Sequence, residues 1–193
     1  MSLAPKLPPL MTVDDFLKWP GDGTGRIYEL VDGVLRAQDP ASDAYGTIHI
    51  NIGSAISMHL RDKRPGCRIV AGPGVQPRIR AMWNYRIPEL AVTCTPNRAD
   101  VHMTPDPVLV IEVLSPTNEK DTRSNIPLYA TLPSVTEILV VDSTKVAAEL
   151  LTRGADGAWP KDPEQLGRGG TIRLASIGLE LPMAEVYRGT YLA

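Results

Sequence analysis

An α/β (α+β) fold, built on a mixed β-sheet flanked by helices, is predicted for this 193-residue chain by three observations. The run Val108-Leu109-Val110-Ile111-Glu112-Val113-Leu114 is apolar on both faces apart from one acid, as expected of a central strand covered on each side. Between Ala44 and Arg64, the positions Ile48, Ile52, Ala55, Ile56 and Leu60 recur at three- and four-residue intervals, the pattern of an amphipathic helix. Two short apolar runs, 27–31 and 34–37, flank Asp32-Gly33, a pair that tolerates the positive φ angles of a tight hairpin turn.

Taken in order, residues 1–10 hold three prolines without periodicity and read as an extended arm. Thr12 and Asp15 have capping-box spacing, so a short helix is expected from Val13 to Trp19, ended by Pro20-Gly21. The hairpin and the long helix follow, the latter stopped by Pro65 and Gly66. Strands are expected over 68–71, 75–79, 87–93 and 107–114. A helix over 118–132 carries Pro127, which removes one backbone bond. Strands over 137–142 and 146–151, a short strand over 171–174 and a helical turn over 183–187 complete the chain. Strands interleaved with helices define the class, and the length suits one domain spanning residues 1–193.

Composition narrows the function. No stretch approaches the roughly 20 apolar residues that cross a bilayer, and the N-terminus lacks a secretory pattern, so no membrane association and a cytoplasmic address are expected. Cys67 and Cys94 are the only cysteines, with no CxxC pair; they read as buried small hydrophobes rather than a disulfide or zinc site. The formal net charge is −2, without the overall basicity of proteins that grip nucleic acid non-specifically. Two local basic stretches, Arg61, Lys63, Arg64, Arg68 and Arg78, Arg80, Arg86, could follow a phosphate backbone, although solvated surface charge explains each residue taken alone.

Glu112 is the anomaly in the chain, because a carboxylate inside an apolar strand is costly unless paired, hydrogen-bonded or bound to metal. Glu89, in Pro88-Glu89-Leu90-Ala91-Val92, heads a second apolar strand. If the two strands are neighbours the acids converge, and with the Val113 carbonyl they form the all-oxygen set that Mg²⁺ prefers. Such an ion activates a water and stabilises charge on a phosphoryl oxygen. Spacing alone favours a buried Glu112 paired with an arginine such as Arg123. His49, on the long helix beside Ile48 and Ile50, reads first as a packed or hydrogen-bonded residue. Tyr129 reads as helix packing with a satisfied hydroxyl, or as a phenol that orients a phosphate.

The succession Tyr28-Glu29-Leu30-Val31-Asp32-Gly33, His49, Pro88-Glu89-Leu90-Ala91-Val92, Val110-Ile111-Glu112-Val113-Leu114-Ser115-Pro116-Thr117, Asp121 with Tyr129, and Val140-Val141-Asp142 resembles the Uma-two family of restriction endonucleases, within the PD-(D/E)XK nuclease superfamily. The resemblance spans nearly the whole chain. It implies a restriction-endonuclease-like core, Mg²⁺-dependent hydrolysis of phosphodiester bonds with Mn²⁺ as a substitute ion, nucleic acid (DNA) as the partner, and a homodimer. Carried onto this sequence, Glu89 stands where an aspartate is usual, Glu112 is the second metal ligand, and Glu29 is a carboxylate that helps hold the metal or its water. Read from its residues alone, Glu29 could equally be an ordinary exposed strand position. The departure is in the following helix: Asp121, Asn125 and Tyr129 occupy one face, and Asn125 replaces the usual lysine. Lys120 and Arg123 are the nearby cations.

Two functions follow. The first is a metal-dependent endonuclease with Glu29, Glu89, Glu112, Asn125 and Tyr129 at its centre. The second is a catalytically impaired nuclease fold serving as a nucleic-acid-binding or oligomeric scaffold module, which Asn125 and the acidic balance favour.

Overall fold

The computed structural model describes residues 10–38, 42–99 and 102–193, so the extended arm expected over residues 1–10 lies almost wholly outside the described residues. Helix α1 (Val13–Lys18) starts with the expected capping box, Thr12 and Asp15 bonding reciprocally. The hairpin is β1 (Tyr28–Val31) and β2 (Val34–Ala37), with Asp32 and Gly33 both at positive φ. This two-residue turn fixes the register: Val31 faces Val34, Leu30 faces Leu35 and Glu29 faces Arg36. Helix α2 (Asp43–Lys63) is capped by Ser42 and buries Ile48, Ile52, Ile56 and Leu60 along one stripe.

The remaining elements are β3 (Arg68–Ala71), β4 (Leu90–Thr93), β5 (Pro107–Leu114), α3 (Glu119–Tyr129), β6 (Glu137–Asp142), β7 (Ala147–Thr152), β8 (Glu164–Gly167), β9 (Thr171–Leu174), β10 (Leu179–Pro182) and α4 (Met183–Val186). Strands β3 to β8 form one mixed sheet in chain order, in which β5 and β6 are parallel and the other neighbours antiparallel. A parallel pair needs a crossover, and α3 provides it.

Alternation along β5 sorts the two faces. Leu109, Ile111 and Val113 join the core under α2, β9, β10 and α4, whereas Val110 and Leu114 pack with Tyr129 of α3. Both faces are covered, which explains the unbroken apolar run. Glu112, with Val110 and Leu114 as its same-face neighbours, points into the layer beneath α3. Pro127 does not break α3 at once; the helix tightens into three-residue bonds from Leu128 and Tyr129 and ends there.

Several expectations are corrected. The segment over 75–79 is not a strand: it makes one isolated bridge, Val75 to Arg86, and Pro73 and Pro77 limit its capacity to donate. The expected strand over 87–93 is regular only from Leu90. Strands β8 and β10 were not anticipated; Glu164-Gln165-Leu166-Gly167 has no apolar pattern and exists by pairing with β7. The two basic stretches are spread over several elements. Arg61 and Lys63 close the last turn of α2, where cations suit the helix dipole, Arg68 donates to the Thr95 carbonyl, and Arg80 pairs with Asp32 at 3.1 Å. Arg86 is buried, donating to the Leu30 carbonyl while its Nε has no partner among the described residues. Burial holds its pKa below the usual guanidinium value.

The cysteine expectation is also overturned. Cys67 and Cys94 form a disulfide across 27 residues of sequence. Arg68 pairs with Thr93 in the β3–β4 register, so the flanking residues 67 and 94 fall opposite each other. Closing a loop of this size removes unfolded-state entropy, so Cys94→Ser is expected to lower the unfolding free energy by about 3 kcal/mol under non-reducing conditions. Urea denaturation of the two proteins with and without reductant checks this; wild type indifferent to reductant would show that the bond does not stabilise the fold.

Candidate functional site

The acids meet because of the β4–β5 register. Leu90 pairs with Ile111 and Ala91 with Val110, so one step further sets Glu89 opposite Glu112, on the same face of the sheet. Two steps further sets Pro88 opposite Val113. The Val108 and Leu114 carbonyls accept from Thr136 and Ser143 on the β6 side, so by alternation the Val113 carbonyl points toward β4. Proline has no N–H to donate to it. The Pro-Glu element thus ends the pairing and brings an acid to the point where the ladder donor runs out.

Glu112 is 4% exposed. The Tyr129 hydroxyl donates to its Oε1 at 2.7 Å. Burial raises the Glu112 pKa well above 4.5, and the charges of Glu89 and Glu29 push it the same way against the Tyr129 hydrogen bond. Glu89 is also raised, by burial first, with the Tyr45 hydroxyl beside it opposing the shift. His49 Nε2 lies 3.2 Å from the Glu89 carbonyl oxygen, an atom that only accepts, so this ring nitrogen carries the proton. The same nitrogen is 3.9 Å from the Glu89 carboxylate. Helix α2 therefore holds Glu89 from one side through Tyr45 and His49, while α3 holds Glu112 through Tyr129.

Glu29 is not the exposed strand position that one reading allowed; it is 4% exposed. Its Oε1 accepts from the Ile87 amide at 2.8 Å, which ties the hairpin to the segment entering β4. Its Oε2 receives Arg36 Nη2 at 2.5 Å and Nε at 3.1 Å. Asn125 is buried and bridges the pair: Arg36 Nη2 donates to its Oδ1 at 3.0 Å, and its Nδ2 donates to Glu29 Oε1 at 3.3 Å. Arg36 Nη1 is 3.1 Å from Asp121, whose side chain is largely exposed.

Glu29, Arg36, Glu89, Glu112 and Asn125 line one cavity of about 300 Å³. Tyr129 lies behind Glu112 and does not line it. The alternative partner for Glu112 fails, because Arg123 forks onto Glu149 at 3.0 and 3.1 Å and bonds Glu119 at 2.9 Å, fastening α3 to β7. Among the described residues, neither Glu89 nor Glu112 is paired with a lysine or arginine. The buried α3 face is Thr122, Asn125 and Tyr129, with Asp121 at its rim rather than in line with them.

The donor set fits one hard cation. Two neighbouring carboxyls, both disfavoured as bare anions, and a strand carbonyl without a ladder donor are the oxygen ligands such an ion takes, with water completing its shell. Glu29 is committed to Arg36, and among the described residues no three His, Cys, Asp or Glu side chains converge as a metal cluster. Sequence reasoning missed Arg36 and Tyr45. The signal for Arg36 was present, since an Asp-Gly two-residue turn sets position 36 opposite position 29.

The model of the Uma2 family, described as "Putative restriction endonuclease", matches residues 13–184. The chain belongs to the Uma2 family. An uncharacterized protein of Synechocystis sp. is 29% identical over 183 residues, covering 94% of this chain and 93% of the relative. The crystal structure of a protein from Anabaena variabilis, titled a "putative nuclease belonging to DUF820", superposes with a TM-score of 0.72 at 16% identity, over 92% of this chain and 97% of that one. That likeness shows a shared fold, and the family description points to a nuclease. Among the described residues no helix is long and apolar enough to cross a membrane.

The raised Glu112 pKa predicts a pH dependence. A carboxyl that keeps its proton to higher pH in the folded than in the unfolded chain makes the folded state bind more protons above pH 4.5. Stability therefore falls as pH rises through that window. In metal-free protein Glu112→Gln removes this penalty, so the variant is expected to match wild type at acid pH and exceed it near neutrality. Glu89 is present in both proteins, so the difference between them reports Glu112 together with its repulsion of Glu89. Urea denaturation across this range measures it, and parallel curves would show that Glu112 carries no such burden.

Proposed function

We propose that this Uma2 protein hydrolyses phosphodiester bonds of nucleic acid, with DNA the expected substrate, using Mg²⁺ held by Glu89, Glu112 and the Val113 carbonyl. The observation that carries the reading is the buried Glu112 set opposite Glu89 at a solvent-reachable cavity, with no lysine or arginine among the described residues neutralising the two. A protein selected only for stability gains little from two such acids, because an apolar residue in the strand avoids the desolvation cost. When bound, the ion supplies Lewis acidity at a phosphoryl oxygen and favours deprotonation of water.

The side chains do the rest. Tyr129 holds one oxygen of Glu112, fixing the carboxylate plane and leaving the other oxygen for the ligand. His49, through the Glu89 carbonyl, and Tyr45, beside its carboxylate, keep Glu89 at the mouth of β4. Glu29, whose amide and guanidinium partners are already satisfied, acts by positioning Arg36 and Ile87. The single-domain organisation over residues 1–193 and the homodimer belong to this proposal as well.

The test is cleavage of labelled single- and double-stranded DNA and RNA with Mg²⁺ or Mn²⁺, beside Glu112→Ala. Cutting by wild type that requires metal and vanishes in the variant is expected. Independently, Mg²⁺ at about 100 times its Kd should stabilise wild type by about 2.7 kcal/mol and leave Glu112→Gln unchanged. Inert wild type that also ignores Mg²⁺ in thermal unfolding would sink the catalytic reading and favour the non-catalytic scaffold.

A further inference from the structure

We propose that Arg36 is the phosphate-binding cation of this site. The inference rests on the phosphodiesterase reading above and names a residue that neither the family match nor the sequence motifs assign.

A phosphodiester is an anion, and its reaction gathers further negative charge on the non-bridging oxygens, so a positioned positive group beside the metal site is needed. Among the described residues that line the cavity, Arg36 is the only lysine or arginine. The two cations nearest in sequence to the Asn125 position do not reach it: Arg123 is bound to Glu119 and Glu149, and Lys120 is not part of the lining. Asn125 instead receives the Arg36 guanidinium, at 3.0 Å, so positive charge from β2 arrives at the α3 face where the sequence lacks it.

The guanidinium is fixed before any substrate arrives. Its Nε and Nη2 are held by Glu29, itself held by the Ile87 amide, and Nη2 also by Asn125. Among the described residues its remaining edge, at Nη1, pairs with Asp121, whose side chain is 57% exposed. An exposed carboxylate is a weak partner, and a non-bridging oxygen of a phosphodiester, with the same single negative charge, can accept from Nη1 in its place. The buried edge thus orients the group while the outer edge exchanges Asp121 for substrate. A purely structural partner for Glu29 would need only the buried edge.

The experiment is binding of a short labelled DNA duplex, with Ca²⁺ in place of Mg²⁺, as a function of salt, followed by cleavage in Mg²⁺. Loss of one phosphate contact lowers the slope of log K against log salt by about 0.9. Arg36→Gln is expected to show that decrease together with a cleavage loss of about 10²- to 10³-fold; Arg36→Lys keeps the slope and recovers part of the rate. Because Arg36→Gln strands a buried carboxylate, the double variant Glu29→Gln/Arg36→Gln is measured alongside, and is expected to fold and to show the same reduced slope. Wild-type slope and rate in a folded Arg36→Gln or double variant would overturn the role of Arg36 while leaving the phosphodiesterase reading standing. Wild type that neither binds nor cuts would overturn that reading, and this one with it.

Discussion

The buried carboxyl of Glu112 is the constraint around which this fold is arranged. It lies in the most enclosed strand of the sheet, flanked on its face by Val110 and Leu114. An ionised carboxylate there costs several kcal/mol unless its surroundings answer the charge. Tyr129 answers part of it, and doing so requires α3 to cross the sheet at that height, which the parallel β5–α3–β6 connection ensures. The crossover and the acid are thus coupled: the helix that joins the parallel strands is also the one that delivers the hydroxyl. What the protein leaves unanswered, the clustering of Glu89 with Glu112, is concentrated at the cavity.

A second layer of organisation hangs on the hairpin. Its turn sets Glu29 against Arg36, and the ladder of contacts from Gly33 to Trp83, Asp32 to Asn84 and Leu30 to Tyr85 seats it against the segment that leads into β4. The Glu29 carboxylate then reaches the Ile87 amide, two residues before Glu89. One side chain consequently fixes both the cation on β2 and the approach of the acid at the head of β4. Arg86, buried beneath the hairpin, adds positive charge near Glu29 and Tyr129 without entering the cavity.

How much of this could be read from the sequence follows from what each feature depends on. Periodicity and turn chemistry are local, so α2, β5 and the Asp-Gly hairpin were legible, as was the oddity of Glu112. Features set by register between distant segments were not. Cys67 and Cys94 looked like two unrelated small hydrophobes because nothing local reveals that Arg68 pairs with Thr93. Strand β8 has no pattern of its own and is a strand by virtue of β7. Arg36 lies between these cases: its partner is defined by a two-residue turn, yet reading it requires treating the cross-strand pair, not the single residue, as the unit. Asp121 lines the cavity with Asn125, as a spacing of four suggests, but stands at its exposed rim, while the buried stripe steps through Thr122.

Charge balance at the cavity connects these points to chemistry. Among the described residues four carboxyls, Glu29, Glu89, Glu112 and Asp121, line it against the single guanidinium of Arg36. Left so, it repels a phosphate, and the raised pKa values of Glu89 and Glu112 are the same repulsion and desolvation expressed as proton affinity. The proposed divalent cation would reverse the sign at one end of the cavity, while Arg36 supplies positive charge at the other group of acids. The modest net charge of −2 is therefore no argument against a polyanionic substrate. Affinity would come from an ion and one oriented arginine acting together at the scissile phosphate, not from a basic surface. On the proposed reading such a site would need its metal and would discriminate through what the cavity admits, without a basic surface.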